Sequence, residues 1–131
     1  NRDYVGEDAP LPVIKELLTD LIKLGSKYAV ITGVKLPDGK LGFIGYDSSS
    51  QEFFMYGPDE VPIKSHGTGD VFASTFTGAL MNDFSVFDSL KIAADFTCLC
   101  IQDTYTDPDA VDYAVNFETQ IPNLLKMINN V

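Results

Sequence analysis

The segment Ser65-His66-Gly67-Thr68-Gly69-Asp70 brings together residue types that could do chemistry at a spacing that would let them. Two glycines stand directly before an apolar stretch of helical character and just after a candidate strand. Glycine at such a junction lets the backbone approach an anion closely. The helix that follows offers N–H groups without intrahelical partners, together with the positive end of its dipole. That combination seats a phosphate without a lysine. An aspartate at position 70 would place a carboxylate beside the same pocket, where it could take a proton from an attacking hydroxyl while the amides stabilise a transferring phosphoryl group. As a bare pattern, Gly-X-Gly-Asp reads equally as a tight turn followed by a helix cap.

A second candidate is Ala29-Val30-Ile31-Thr32-Gly33, a buried strand ending in a hydroxyl and a glycine. Open α/β sheets bind ligands beyond the carboxyl ends of their strands, and the alternative is a simple strand-to-loop turn. Lys64 lies close to the phosphate loop and is either a phosphate contact or a solvated lysine at a strand end. His66 reads as a loop residue bonded to backbone, since proton transfer already has a candidate in Asp70. Asp107 and Asp109 flank Pro108 in the manner of a turn and helix cap. Cys98 and Cys100 are too close in sequence for an easy disulfide and too few for a zinc site, so they read as buried thiols. Phe53, Phe54, Tyr56, Phe72 and Phe76 read as packing residues, with one of them a candidate to flank a planar base.

The elements that must position these residues follow from periodicity. Leu11, Ile14, Leu17, Leu18, Leu21 and Ile22 recur at three- and four-residue spacing, the pattern of an amphipathic helix. Pro10 and Pro12 suit its first turn and Gly25 its end. Residues 28–31 are strand formers, predicting a buried strand that ends at Thr32-Gly33 and, with the helix before it, an α/β sheet. Leu36-Pro37-Asp38-Gly39 predicts a turn. Residues 41–46 and 52–56 predict short strands that form an antiparallel excursion on the sheet edge. Residues 60–64 are a further strand candidate in which Pro62 favours an edge. Helices are predicted over 71–81 and 85–102, with Asn82-Asp83 as the break and Ser85 as the cap. A short helix over 108–117 and a last one over 121–128 complete the chain. No repeat, low-complexity tract or linker divides it.

Composition narrows the function classes. A chain of 131 residues with 45% hydrophobic content fits one domain with a full core. No apolar run approaches the roughly 18 residues that would span a bilayer, and residues 1–4 show no basic region leading into an apolar one, so a cytoplasmic protein without a membrane partner is expected. Nine Lys and Arg against nineteen Asp and Glu give a net charge of −10, which repels nucleic acid and anionic membranes. Any phosphate must therefore be held locally, by backbone amides or a divalent cation.

The string His66-Gly67-Thr68-Gly69-Asp70-Val71-Phe72-Ala73-Ser74 resembles the Gly-Thr-Gly-Asp motif of the ribokinase superfamily, including the apolar and small residues that open its helix. The resemblance implies a ribokinase-like, Rossmann-type α/β fold in which Asp70 is the base that deprotonates the substrate hydroxyl. Gly67, Thr68 and Gly69 would form the anion hole. It further implies that Thr32 and Gly33 stand at a strand end next to the nucleotide phosphates, with ATP and Mg²⁺ as cofactors and a small vitamin as substrate. Homodimers are common among such kinases.

Within the superfamily, the antiparallel insert and Ala114-Val115-Asn116-Phe117-Glu118 resemble the pyridoxal kinases. The hydroxymethylpyrimidine kinases also carry His-Gly-Thr-Gly but usually continue with Cys, where this chain has Asp70. A hydroxymethylpyrimidine or sugar kinase of the same fold, or a non-catalytic nucleotide-binding piece, are the alternatives. The resemblance covers only the later, ATP-facing half of such a kinase. The N-terminal half, with its vitamin pocket and a short Pro-Asn...Glu segment, is not expected in this chain.

Overall fold

The computed structural model describes residues 9–59 and 66–129. The chain forms two compact units, Asn1–Glu60 and Val61–Val131.

In the first unit, α1 (Leu11–Ile22) starts at Pro10 with a further proline in its first turn, where a missing N–H leaves no helical bond unmade. The helix closes at Gly25, whose φ of +106° suits glycine and whose N–H bonds the Ile22 carbonyl at 2.9 Å. Ile14 and Leu18, one turn apart, are buried against Ala29, Val34, Leu36 and Ile44. These come from β1 (Tyr28–Lys35), the turn after it and β2 (Leu41–Asp47), which with β3 (Glu52–Tyr56) form an antiparallel sheet of order β1-β2-β3.

Two expectations change here. The strand predicted to end at Thr32-Gly33 continues to Lys35, because its pairing with β2 runs on to Lys35 opposite Leu41. Among the described residues it is also an edge strand of a wholly antiparallel sheet. Its register shifts between Thr32 and Val34, and Gly33 between them has a φ of +69°. A one-residue bulge resets the in–out alternation of a strand. Val34 is thereby turned to the same core as Ala29, which strict alternation would have denied it.

β2 owes its close pairing with β3 to two glycines. A Cβ at Gly42 would lie 2.0 Å from the Tyr56 carbonyl oxygen, and one at Gly45 would lie 2.2 Å from the Phe54 ring. The Phe54 ring crosses over Gly45 and meets Phe43 edge-on at 6.3 Å between centroids. Because the obstacle at Gly42 is backbone, Gly42→Ala is expected to destabilise the chain by about 2–3 kcal/mol, a typical cost of overpacking. Denaturant unfolding, with the midpoint lowered at constant slope, checks this.

In the second unit, α2 (Thr68–Met81) begins three residues earlier than predicted and packs on α3 (Val86–Thr106). The break between them is as expected. Asp83 takes a φ of +66°, and the Ser85 hydroxyl caps α3 by accepting the Asp88 N–H at 3.1 Å. Phe96, Cys100 and Val115 form a core joined by Val71, Leu124 and Met127, the last two from α4 (Ile121–Asn129).

The short helix expected over 108–117 is absent. Asp107 accepts the Asp109 N–H with one carboxylate oxygen and the Asn116 side-chain amide with the other, both bonds satisfying polar groups locally in place of a helical ladder. A single 3₁₀ turn, Glu118–Gln120, leads into α4. The strand candidate at 60–64 lies outside the described residues. No described helix is long and apolar enough to cross a membrane.

Candidate active site

Gly67 is the N-cap of α2, with φ +85° and ψ −1°, a left-handed conformation that L side chains rarely adopt. It turns the chain sharply into the helix, and its carbonyl accepts the Val71 N–H at 3.2 Å. As a glycine, Gly67 brings no side chain to cap this helix end. The amides of Gly69 and Asp70 fall in the first turn, before any i−4 carbonyl is available to them, so they point outward from the positive end of the helix. Gly69 is exposed, and a Cβ there would meet nothing within 4 Å. Thr68 is half-buried, while His66 and Asp70 are exposed. Asp70 belongs to the same first turn as the amides. The four residues of the predicted phosphate loop therefore lie together on one open helix end, with donors and a carboxylate side by side.

Beside this loop lies a segment whose role the sequence did not reveal. A Cβ on Gly67 would be 3.8 Å from Val115 Cγ1 and 3.9 Å from the Val115 backbone nitrogen, so Val115 is what a side chain at this turn would meet. Val115 is 6% exposed. The next residue, Asn116, donates its backbone N–H to Thr104 Oγ1 at 2.8 Å. Further on, Asp103 accepts from the Thr119 hydroxyl and, at 2.8 Å, from the Gln120 amide. These bonds, Thr119 first, hold the Asp103 carboxyl below the usual carboxylate range. Residues 115–120 are in this way fastened to the last turns of α3.

Thr32 and Gly33 are both exposed and sit at the β1 bulge, not at a strand terminus. A bulge re-aims side chains much as a strand end does, and bulges are over-represented beside active sites. Lys64 lies outside the described residues. Cys98 and Cys100 are free and buried, and burial, then the charges of Asp103 and Glu118, push the Cys100 thiol up to about 12. A thiol in that state is no nucleophile at neutral pH. A cavity of about 390 Å³ in the first unit is lined by Leu36, Asp38, Lys40, Met55 and Tyr56 among others, and of the aromatic residues that are candidates to flank a planar base it holds Tyr56. Its polar groups are already engaged, Asp38 with the Lys40 N–H and the Lys40 ammonium with Asp59.

The family model described as phosphomethylpyrimidine kinase matches residues 9–113, most of the chain. The chain belongs to the phosphomethylpyrimidine kinase family. No curated protein matches it. Among solved structures, it is similar to the pyridoxal kinase of Lactobacillus plantarum, with 23% identity and a TM-score of 0.74 over 94% of this chain and 44% of that one.

It is also similar to a protein of Bacteroides thetaiotaomicron assigned as a phosphomethylpyrimidine kinase, whose orthorhombic crystal form contains pyridoxal. There the identity is 27% and the TM-score 0.78, over 90% of this chain and 42% of that one. The rhombohedral form of a protein with the same assignment and source gives 26% and 0.72 over 95% and 40%. The fold is thus the α/β, ribokinase-like fold of vitamin kinases, and the chain spans less than half the length of these solved structures.

Members of this kinase family act with ATP, and the open end of α2 has the donors for a nucleotide phosphate. A metal is a different matter. Among the described residues no group of three or more His, Cys, Asp and Glu could hold one.

Proposed function

We propose that these residues are the ATP-facing C-terminal part of a ribokinase-like kinase domain that phosphorylates the 5'-hydroxymethyl group of pyridoxal, pyridoxine or pyridoxamine. The observation that carries this reading is the left-handed Gly67 opening α2, with Asp70 in its exposed first turn. Asp70 takes the proton of the attacking hydroxyl. That oxygen bonds to the γ-phosphorus as the bond from phosphorus to the bridging oxygen breaks, and ADP carries away the electron pair. Gly67, Thr68 and Gly69 direct their amides at the charge spread over the transferring phosphoryl oxygens. Thr32, Gly33 and Lys64 are nucleotide contacts, and Mg²⁺ accompanies the nucleotide. A cytoplasmic homodimer acting on a small vitamin is the corresponding whole protein.

A hydroxymethylpyrimidine acceptor is the second reading, and the match to the phosphomethylpyrimidine kinase family favours it. Asp70, where the pyrimidine kinases usually carry Cys, and the pyridoxal of the 27% identical Bacteroides structure support the B6 vitamer. Steady-state kinetics of the full-length protein with both acceptors separates them. The expected result is a kcat/KM at least about tenfold higher for pyridoxal, which corresponds to about 1.4 kcal/mol of differential transition-state binding. A preference of that size for the hydroxymethylpyrimidine assigns the other acceptor.

A further inference from the structure

We infer that Thr104, on the last turn of α3, is a positioning residue for the phosphate loop, acting through Val115 on Gly67. The inference rests on the reading of Gly67 to Asp70 as a phosphate seat, and it follows from what holds that seat in place. Gly67 has no side chain of its own with which to cap the helix, so the direction of the loop amides depends on what packs beside the turn. Val115 lies beside it, with Cγ1 and the backbone nitrogen 3.8 and 3.9 Å from where a Cβ on Gly67 would stand, and Val71, whose N–H the Gly67 carbonyl accepts, packs against the cluster to which Val115 belongs. On its other side the Val115 side chain packs with Phe96 and Cys100.

The height of Val115 is fixed one residue later. The Asn116 N–H donates to Thr104 Oγ1 at 2.8 Å, and the same hydroxyl donates to the Cys100 carbonyl at 2.7 Å. The second bond orients the first. Because the hydroxyl proton is committed to Cys100, a lone pair is turned toward Asn116, and the oxygen both donates and accepts. Serine can reproduce both bonds, whereas valine matches the shape of threonine but can make neither. With valine, the half-buried Asn116 N–H loses its acceptor, and a backbone donor in that position shifts to find another. The segment 107–117 has no helical ladder to resist the shift, and Val115 moves with it. Asp103, bonded to Thr119 and Gln120, limits the movement to the stretch before the 3₁₀ turn.

The test uses amide NMR of the 131-residue chain with inorganic triphosphate as the probe. In the unsubstituted chain, triphosphate is expected to shift the Gly67, Gly69 and Asp70 amide signals in a saturable way. Thr104→Val is expected to displace those signals before any ligand is added and to weaken triphosphate binding about fivefold, a size typical of substitutions that act on a site without touching its ligand. Thr104→Ser is expected to restore both the signals and the affinity, which a mere loss of packing volume would not predict.

Superposition of the loop amides of Thr104→Val on those of the unsubstituted chain, with equal affinity, overturns the inference and leaves the phosphate seat standing. If Thr104→Val does not fold, Val115→Ala takes its place. That variant removes the side chain that lies beside the Gly67 Cβ position and leaves the hydroxyl bonds intact, and unchanged loop amides in it overturn the inference. If triphosphate leaves the loop amides of the unsubstituted chain unmoved, the phosphate seat is wrong. The ligand-free shifts then still decide whether Thr104 positions the turn.

Discussion

Replacing Asp70 by asparagine in the full-length protein is expected to lower turnover by about 10²–10⁴-fold while nucleotide affinity stays nearly constant. Asparagine keeps the shape of the side chain and removes its ability to take a proton, so the loss falls on the step in which the hydroxyl attacks. The structure makes the substitution a clean one. Asp70 is exposed and is the acidic residue of the first turn of α2, whose N-cap is Gly67. Little of the fold depends on its carboxylate beyond a favourable position near the helix N-terminus, worth about 0.3–1 kcal/mol. If Asp70 were only a first-turn acid that favours the helix, Asp70→Asn would move the unfolding midpoint slightly and leave turnover alone. Steady-state kinetics with pyridoxal and ATP, beside thermal unfolding of the same variant, separates the two roles. Retention of more than about a tenth of the turnover removes Asp70 from the role of base.

The parts of the fold that were legible in the sequence are those whose physics is local. The apolar period of residues 11–22 gives α1 to the residue, and Glu52–Tyr56 is the strand expected from its run of strand formers. Ser85 caps α3 as its residue type and position predict. What the sequence hid depends on partners far along the chain. β1 continues past Gly33 because β2 pairs with it there, and no pattern within residues 28–33 announces that partner. Residues 108–117 carry enough helix formers to suggest a helix, but Asp107 commits its two oxygens to Asp109 and Asn116 and turns the chain instead.

The candidate site divides in the same way. Gly67, Thr68, Gly69 and Asp70 are contiguous, so their grouping on one helix end was readable from spacing alone. Thr104 and Val115 are 37 and 48 positions beyond Gly67 by residue number, and only the folded second unit brings Val115 beside the turn. Ala114 to Glu118 resembles a segment of the pyridoxal kinases, and a resemblance marks a segment without giving the reason for it. In the folded second unit Val115 lies beside Gly67, and the Asn116 N–H ties the same segment to Thr104 of α3.

The 131-residue chain by itself is expected to bind MgATP with an affinity of about millimolar and to phosphorylate nothing. Its phosphate contacts reduce to a few backbone amides and a helix dipole, each worth on the order of 1 kcal/mol where water has access. Three or four such contacts amount to a millimolar dissociation constant. The net charge of −10 works against an anionic ligand and so does not improve on that value. The solved structures it resembles are more than twice as long, since the match covers only 44%, 42% and 40% of them.

Added protein around the same loop would exclude water, and the same amides then act in a lower dielectric where each contact is worth more. Asp70 without an acceptor held in line has no proton to remove, which is why turnover is expected to vanish and not merely to fall. Calorimetric titration of the chain with ATP and Mg²⁺ measures the first claim, and a coupled assay with pyridoxal measures the second. Sub-micromolar binding, or turnover proportional to chain concentration and abolished by Asp70→Asn, would mean that these 131 residues build the whole active site.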